Sequence, residues 1–462
     1  MERGYDVAVI GGGPAGYVAA IKAAQLGGSV VLFEKDSVGG ACLNRGCIPT
    51  KTYLKTAEYI HGIQKAGERG VKLASTDLSI DMGKVVKYKN GIVKKLTSGV
   101  AGLLKSHGVH TVKGTGTLDA DGNVSCEGQV YCAKNVILCG GSKTGTLSIL
   151  GADTCPDIIT SDGILELTEL PKKLVIIGGG VIGCEMACAF AAFGSQVSVV
   201  ELAECLVPFM DNDISDQLKK ALEGQGVQVL LSAKVSKIGY SKGKTAVFVE
   251  GVKDPLSADK ILLSFGRAAD LECLGELQEK ILVTNGKVEV DEQMRTNIPN
   301  IFAAGDINGL SMLAHAAFKM GETAAANAMG RNEKCDLTRV PICLYTLPEA
   351  ASVGRSQARA AASREVLVGR FPFSANGRTL AGGEENGFVK VVVSKEFGEI
   401  LGVHIFGGAA TEMIAEAVTA MSMEVTAHEI AGIIHAHPTF SEAFMEACAD
   451  ALGQCVHLPP PK

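Results

Sequence analysis

The chain has 462 residues, 47% of them hydrophobic and 20% charged, with 56 glycines and a formal net charge of −6. That length is ample for about three domains, and the composition excludes a disordered, collagen-like or coiled-coil protein. An acidic balance with no basic patch and no nucleic-acid-binding motif argues against a nucleic-acid partner. The first element is the apolar, β-branched strand Tyr5–Ile10, so close to Met1 that no signal or transit sequence fits before it. The expected location is therefore the cytoplasm, or the mitochondrial matrix if a transit peptide was removed. The strand meets Gly11-Gly12-Gly13-Pro14-Ala15-Gly16, followed by an alanine-rich helix to about Leu26 and a second strand over 29–33 that ends at Glu34.

Next comes GGACLNRGCIPTK over 39–51, with four residues between Cys42 and Cys47. The spacing permits a disulfide, and residues 48–51 open a helix with Pro49 acceptable in its first turn. A thiolate at Cys47 lies near that helix's positive end, which lowers a thiol pKa and favours exchange chemistry. Two other readings stay open at this point: a buried structural pair, since the chain has 14 cysteines, and a metal site. Zinc sites usually add a second pair or histidines at matching spacing, and none stands nearby, so no metal is expected. In a reducing compartment the other cysteines, among them Cys126, Cys132, Cys139, Cys184 and Cys188, serve as small apolar side chains.

The opening pattern then recurs. A strand over 174–177 runs into Gly178-Gly179-Gly180-Val181-Ile182-Gly183, an apolar helix to Phe193, and a strand over 196–200 that ends at Glu201. Gly178 follows Gly11 by 167 residues, and Glu201 follows Glu34 by the same 167. In both copies the acid stands 21 residues past the third glycine, Gly13 or Gly180. This is the fingerprint of a dinucleotide site. The glycines admit a pyrophosphate, the helix N-terminus stabilises its charge and the acid accepts from a ribose hydroxyl. The candidate nucleotide residues are Gly11, Gly13, Gly16 and Glu34 in the first copy, and Gly178, Gly180, Gly183 and Glu201 in the second. The first should take FAD, because the thiol pair follows it directly and a flavin exchanges two electrons with a dithiol and then with a nicotinamide. The second should take NAD, because Glu201 repels a 2′-phosphate and residues 202–205 supply no arginine. The apolar stretch 174–200 is broken by glycines, Glu185 and Ser195-Gln196, so it reads as strand, helix and strand and not as a membrane span.

At the far end, HAHPTFSE over 435–442 sets Glu442 five residues past His437. A carboxylate held against one imidazole nitrogen makes the other a general base suited to a dithiol. His435 has no acid at that spacing and is assigned to packing or hydrogen bonding.

Taken together, CLNRGCIPTK, the two fingerprints, IFAAGD over 301–306, MLAH over 312–315 and HAHPTFSE resemble the flavin-dependent pyridine nucleotide-disulphide oxidoreductases, specifically those that oxidise dihydrolipoamide. The match covers residues 5–459. The resemblance implies an α/β protein with two Rossmann-like domains and a C-terminal α+β dimerisation domain. Its domains would be 1–143 for FAD, 144–270 for NAD, 271–339 completing the FAD site and 340–462 forming the interface. It implies a redox disulfide in which Cys42 meets the substrate and Cys47 faces the flavin. Lys51 would lie near flavin N5 and pair with Glu185, whose ordinary alternative is an acid in a helix's first turn. Asp306 would hold the ribityl chain and Ala314 would offer backbone beside the flavin. Gly116, Gly140, Gly141 and Ser142 would touch the adenylate half, while Val235 and Gly266 would border the NAD. His437 and Glu442 would come from the other subunit of a homodimer. The partner implied is a lipoyl-bearing protein of a 2-oxoacid dehydrogenase or glycine-cleavage system. A glutathione reductase would want arginines near Glu201, and a mercuric reductase a cysteine pair at the C-terminus, where only Cys455 stands. A non-catalytic docking subunit is disfavoured by intact Cys42, Cys47 and His437. The chain departs from the family pattern at Cys139, over 143–149, at Ala268-Ala269 and at Leu347.

Overall fold

The computed structural model describes residues 4–75, 77–145, 149–241 and 243–460, so part of the atypical 143–149 stretch, residues 146–148, lies outside the described residues. Two five-stranded parallel sheets carry the two fingerprints. In the first, the order is Ile301–Ala303, Ala133–Leu138, Tyr5–Ile10, Val30–Glu34 and His110–Lys113. In the second it is Gln228–Leu230, Gln196–Val200, Lys173–Ile177, Lys260–Leu263 and Ile158–Ile159. Each fingerprint strand sits in the middle of its sheet, buried on both faces, which is why 7–10 and 174–177 read as unbroken apolar runs. The chain enters the second sheet and then returns to the first, whose edge strand is Ile301–Ala303. The helix Ala314–Ala328 then packs on Pro14–Gln25 so closely that a Cβ on Gly321 would stand 2.3 Å from the Ala15 carbonyl oxygen.

The C-terminal part is an antiparallel sheet in the order Ile342–Leu344, Ala350–Gly354, Ile400–Phe406, Phe388–Ser394 and Val366–Pro372. The helices Ala410–Ser422 and Glu442–Ala451 bury Met413, Ile414, Phe444 and Cys448 against it. The helices expected after the two glycine loops are observed at Pro14–Gln25 and Val181–Phe193, and the one expected to open at 48–51 is Cys47–Lys65, while Met82–Ser106 and the small antiparallel sheets over 117–131 and 235–258 had no clear sequence signal. Cys126, Cys139, Cys184 and Cys188 are buried, as expected of apolar thiols, whereas Cys132 is half-buried.

Candidate active site

The two glycine loops are built alike. Gly11 and Gly178 have φ of +101° and +113°, and a Cβ on either would press on a neighbouring strand's carbonyl oxygen, 2.1 Å from that of Cys139 or 2.6 Å from that of Ser264. A Cβ on Gly16 would stand 1.7 Å from the Gly11 oxygen, and one on Gly183 2.0 Å from that of Gly178. Both contacts let the helix start tight against the strand end. Gly13 and Gly180 differ: they cap the helices Pro14–Gln25 and Val181–Phe193, and a Cβ there would meet nothing within 4 Å at Gly180 and only the Gly40 Cα, at 3.8 Å, at Gly13. That is the cradle a pyrophosphate needs, with helix N–H groups facing it.

The acids repeat the symmetry. Glu34 accepts from the N–H groups of Gly12 and Asp36 at 2.7 Å each. Glu201 accepts from the N–H of Gly179 and, at 2.7 Å, from that of Ala203. Each carboxylate oxygen retains a lone pair for a ribose hydroxyl. Burial pushes the Glu34 carboxyl above the usual carboxylate range, against the opposing pull of the Gly12 N–H.

The thiol segment sits directly on the first loop. A Cβ on Gly40 would come within 2.6 Å of the Gly13 Cα, and Gly39 donates its N–H to the Gly12 carbonyl at 2.8 Å. Gly39 and Gly40 take positive φ to make this turn. Cys42 then lies on the short helix Gly40–Arg45, and Cys47 is the first residue of the helix Cys47–Lys65. The Cys42 thiol donates to Cys47, which raises its own pKa far above the thiol range and lowers that of Cys47 to about 7. The Lys51 ammonium, one helical turn on, adds to the lowering at Cys47.

Lys51 Nζ stands 3.0 Å from both carboxylate oxygens of Glu185. Glu185 is only 3% exposed and is the fifth residue of its helix, so the first-turn alternative does not describe it. Its Oε1 also accepts the Tyr345 N–H at 3.0 Å. Asp306 accepts from the Ser142 hydroxyl, and Ser142 in turn is held by Arg267, whose Nε and Nη2 donate to the Ser142 Oγ at 2.7 Å and carbonyl at 2.6 Å. Arg267 is a site residue that nothing in the local sequence pattern announces, because its partner is 125 residues away.

The remaining candidates are placed as follows. Ala314 begins the helix Ala314–Ala328. Gly116 lies against Phe33, where a Cβ would be 3.0 Å from the Phe33 Cβ. A Cβ on Gly140 would approach the Asp270 oxygen at 2.8 Å, and Gly141 has φ +74°. Val235 opens the strand Val235–Ser241, and Gly266, with φ +79°, accepts the Gly145 N–H on its carbonyl. His437 Nδ1 stands 2.8 Å from Glu442 Oε1, and Glu442 Oε2 accepts the Thr439 N–H at 2.7 Å. His435 also has a carboxylate partner, Glu416, at 2.7 Å; it comes from the helix Ala410–Ser422, which spacing along the chain does not reveal. Among the described residues nothing hydrogen-bonds His437 or Glu442 to the Cys42–Cys47 segment. None of the described residues forms a group of three or more His, Cys, Asp or Glu fit to hold a metal ion.

Two nucleotide cradles in tandem, with a thiol pair seated on the first whose Cys47 sulfur is the more acidic, define a disulfide oxidoreductase that works with two dinucleotides. The model of the pyridine nucleotide-disulphide oxidoreductases matches residues 5–321, and that of their dimerisation domain residues 340–448. The chain belongs to this family. It is 39% identical over 457 residues to a dihydrolipoyl dehydrogenase of Bacillus subtilis, covering 98% of this chain and 99% of the other. With the dihydrolipoyl dehydrogenase of Geobacillus stearothermophilus it shares 40% identity over 461 residues, 98% of this chain and 97% of the other. Among solved structures it resembles the HOCl-induced flavoprotein disulfide reductase RclA from Escherichia coli, with a TM-score of 0.86 and 26% identity over 96% of this chain and 99% of that one. The expected α/β fold and the oxidoreductase class are thereby established, with FAD and NAD(H) as the cofactors of the family. The uncrowded helix caps at Gly13 and Gly180, and the paired backbone contacts of Glu34 and Glu201, fit two such dinucleotides. No helix among the described residues is long and apolar enough to cross a membrane.

Proposed function

We propose that this chain oxidises protein-bound dihydrolipoyl groups to lipoyl groups and reduces NAD to NADH, as a homodimer. The observation that carries this reading is the Cys42–Cys47 pair seated on the first glycine loop, with Cys47 as its low-pKa sulfur. FAD is assigned to the first cradle, with Gly11, Gly13, Gly16, Glu34, Lys51, Gly116, Gly140, Gly141, Ser142, Asp306 and Ala314 around it. NAD is assigned to the second, with Gly178, Gly180, Gly183, Glu185, Glu201, Val235 and Gly266. When bound, FAD supplies the two-electron link between the thiol pair and NAD.

The chain's own residues do the rest. His437 of a second copy, oriented by Glu442, takes a proton from one dihydrolipoyl thiol. The resulting thiolate attacks Cys42 Sγ, the Cys42–Cys47 bond breaks, and Cys47 leaves as a thiolate stabilised by its helix N-terminus and Lys51. The second substrate thiol attacks the substrate sulfur of the mixed disulfide, and its proton passes to the departing Cys42 sulfur. That closes the lipoyl ring and releases Cys42, so one disulfide has become a dithiol and one dithiol a disulfide. The second copy is invoked because no hydrogen bond joins His437 to the thiols among the described residues, and because residues 340–448 match a dimerisation domain. The substrate arrives on a lipoyl-bearing protein of a 2-oxoacid dehydrogenase or glycine-cleavage system, in a reducing compartment, the cytoplasm or mitochondrial matrix, that keeps the buried thiols reduced.

The test is turnover of free dihydrolipoamide with NAD by the purified, FAD-loaded protein. NADH should form, and His437→Gln should cripple its formation while FAD stays bound. An FAD-loaded protein that yields no NADH would overturn the reading.

A further inference from the structure

Lys51, Glu185 and Tyr345 come from three separate parts of the chain and meet behind the thiol pair. The Lys51 ammonium lies 4.3 Å from the centroid of the Tyr345 ring, within the range of a cation–π contact. We propose that Tyr345 is a positioning residue: the face of its ring, with Glu185, fixes the Lys51 ammonium where it stabilises the Cys47 thiolate. This rests on the reading of Lys51 and Cys47 given above.

The ring has little freedom. Tyr345 follows the strand Ile342–Leu344, which is paired to Ala350–Gly354. Its N–H is bound by Glu185 at 3.0 Å, and two residues on, the Leu347 N–H is held by the Cys188 sulfur at 3.3 Å. Glu185 and Cys188 are one turn apart on the helix Val181–Phe193, so that helix grips the backbone on both sides of Thr346. The Tyr345 hydroxyl has no hydrogen-bond partner among the described residues. The ring face, and not the hydroxyl, is therefore the part in use. Burial pushes the phenol up to about 12, so the ring stays neutral and its face stays attractive to a cation. Lys51 is a long side chain with much rotamer freedom and is still 30% exposed. One carboxylate would fix its distance from Glu185 but leave the stem free to swing. The ring closes off that motion.

The experiment uses the FAD-loaded enzyme with the thiol pair stoichiometrically reduced. The pH midpoint of the long-wavelength flavin absorbance then reports the Cys47 thiolate. Tyr345→Phe should leave the midpoint unchanged. Tyr345→Leu should raise it by about half a unit to one unit. Incorporating phenylalanines of increasing fluorination at this position keeps the ring's shape and removes its negative face, so the midpoint should climb with each fluorine even if the leucine variant fails to fold. A flat fluorination series in an enzyme whose Lys51→Gln variant does shift the midpoint would overturn the role of Tyr345 alone. A Lys51→Gln variant with an unshifted midpoint would overturn the placement of Lys51 on which it rests.

Discussion

Replacing Glu442 by glutamine removes one negative charge from beneath His437 and changes little else. The carboxylate serves two donors: Oε1 faces His437 Nδ1 at 2.8 Å and Oε2 takes the Thr439 N–H at 2.7 Å. Burial works to raise the Glu442 carboxyl, but the Thr439 N–H and His437 outweigh it, so the group sits below the usual carboxylate range and is ionised at neutral pH. An amide has one acceptor oxygen, so it serves His437 or Thr439 but not both. When His437 takes a proton, the native enzyme gains a charge-assisted hydrogen bond of roughly 1.5–3 kcal/mol. The His437 side chain is 76% exposed, which puts the contribution near the low end, about 1.5 kcal/mol. Glu442→Gln should therefore lower kcat/KM for dihydrolipoamide about tenfold, with FAD content and melting temperature near native. Because the acid acts through the histidine, His437→Gln combined with Glu442→Gln should be no slower than His437→Gln alone. Activity within about twofold of native for Glu442→Gln, or fully additive losses in the double variant, would refute the pairing.

Lys390 is buried between Asp211 at 2.8 Å and Asp213 at 2.9 Å, and joins the C-terminal sheet to the helix Asn212–Gly224. Lys390→Met leaves the Asp211 charge buried without its cation and should cost about 3–5 kcal/mol in urea unfolding; adding Asp211→Asn should recover part of that loss, and no recovery would count against the ion pair. Close by, His404 packs with Nδ1 on Ser352 Oγ, Nε2 on the Arg355 carbonyl, and Asp211 and Lys390 around it. Burial holds this imidazole below the usual histidine range. Its contribution to stability is then present above an unfolded value of about 6.5 and is lost as the pH falls from there toward the folded value. His404→Gln should flatten that acid-side decline in melting temperature, and an unchanged slope would argue against it. At the second cradle Glu201 should favour NAD over NADP by at least about tenfold in kcat/KM; equal rates with the two cofactors would remove it from that role.

Much of the protein was legible from short-range pattern. The two strand–glycine–helix–strand units, their shared offset of 167 residues, the Cys42–Cys47 spacing and the acid after His437 are all local. Each is a constraint that one turn or one strand end places on its own residues, such as the Gly16 Cβ that has no room beside the Gly11 oxygen. The family resemblance extended that reading to Lys51 and Glu185, which stand 134 residues apart. What the sequence by itself determined was therefore the local framework: the two glycine cradles, the spacing of the two thiols and the pairing of His437 with Glu442. Only the tertiary structure decided how these parts are held. The seating of Gly40 on Gly13, the grip of Arg267 on Ser142, the Glu416 beneath His435 and the Tyr345 ring beneath Lys51 join residues from separate elements. Such contacts depend on how whole sheets and helices pack, and packing leaves no periodic mark on either partner's stretch of chain.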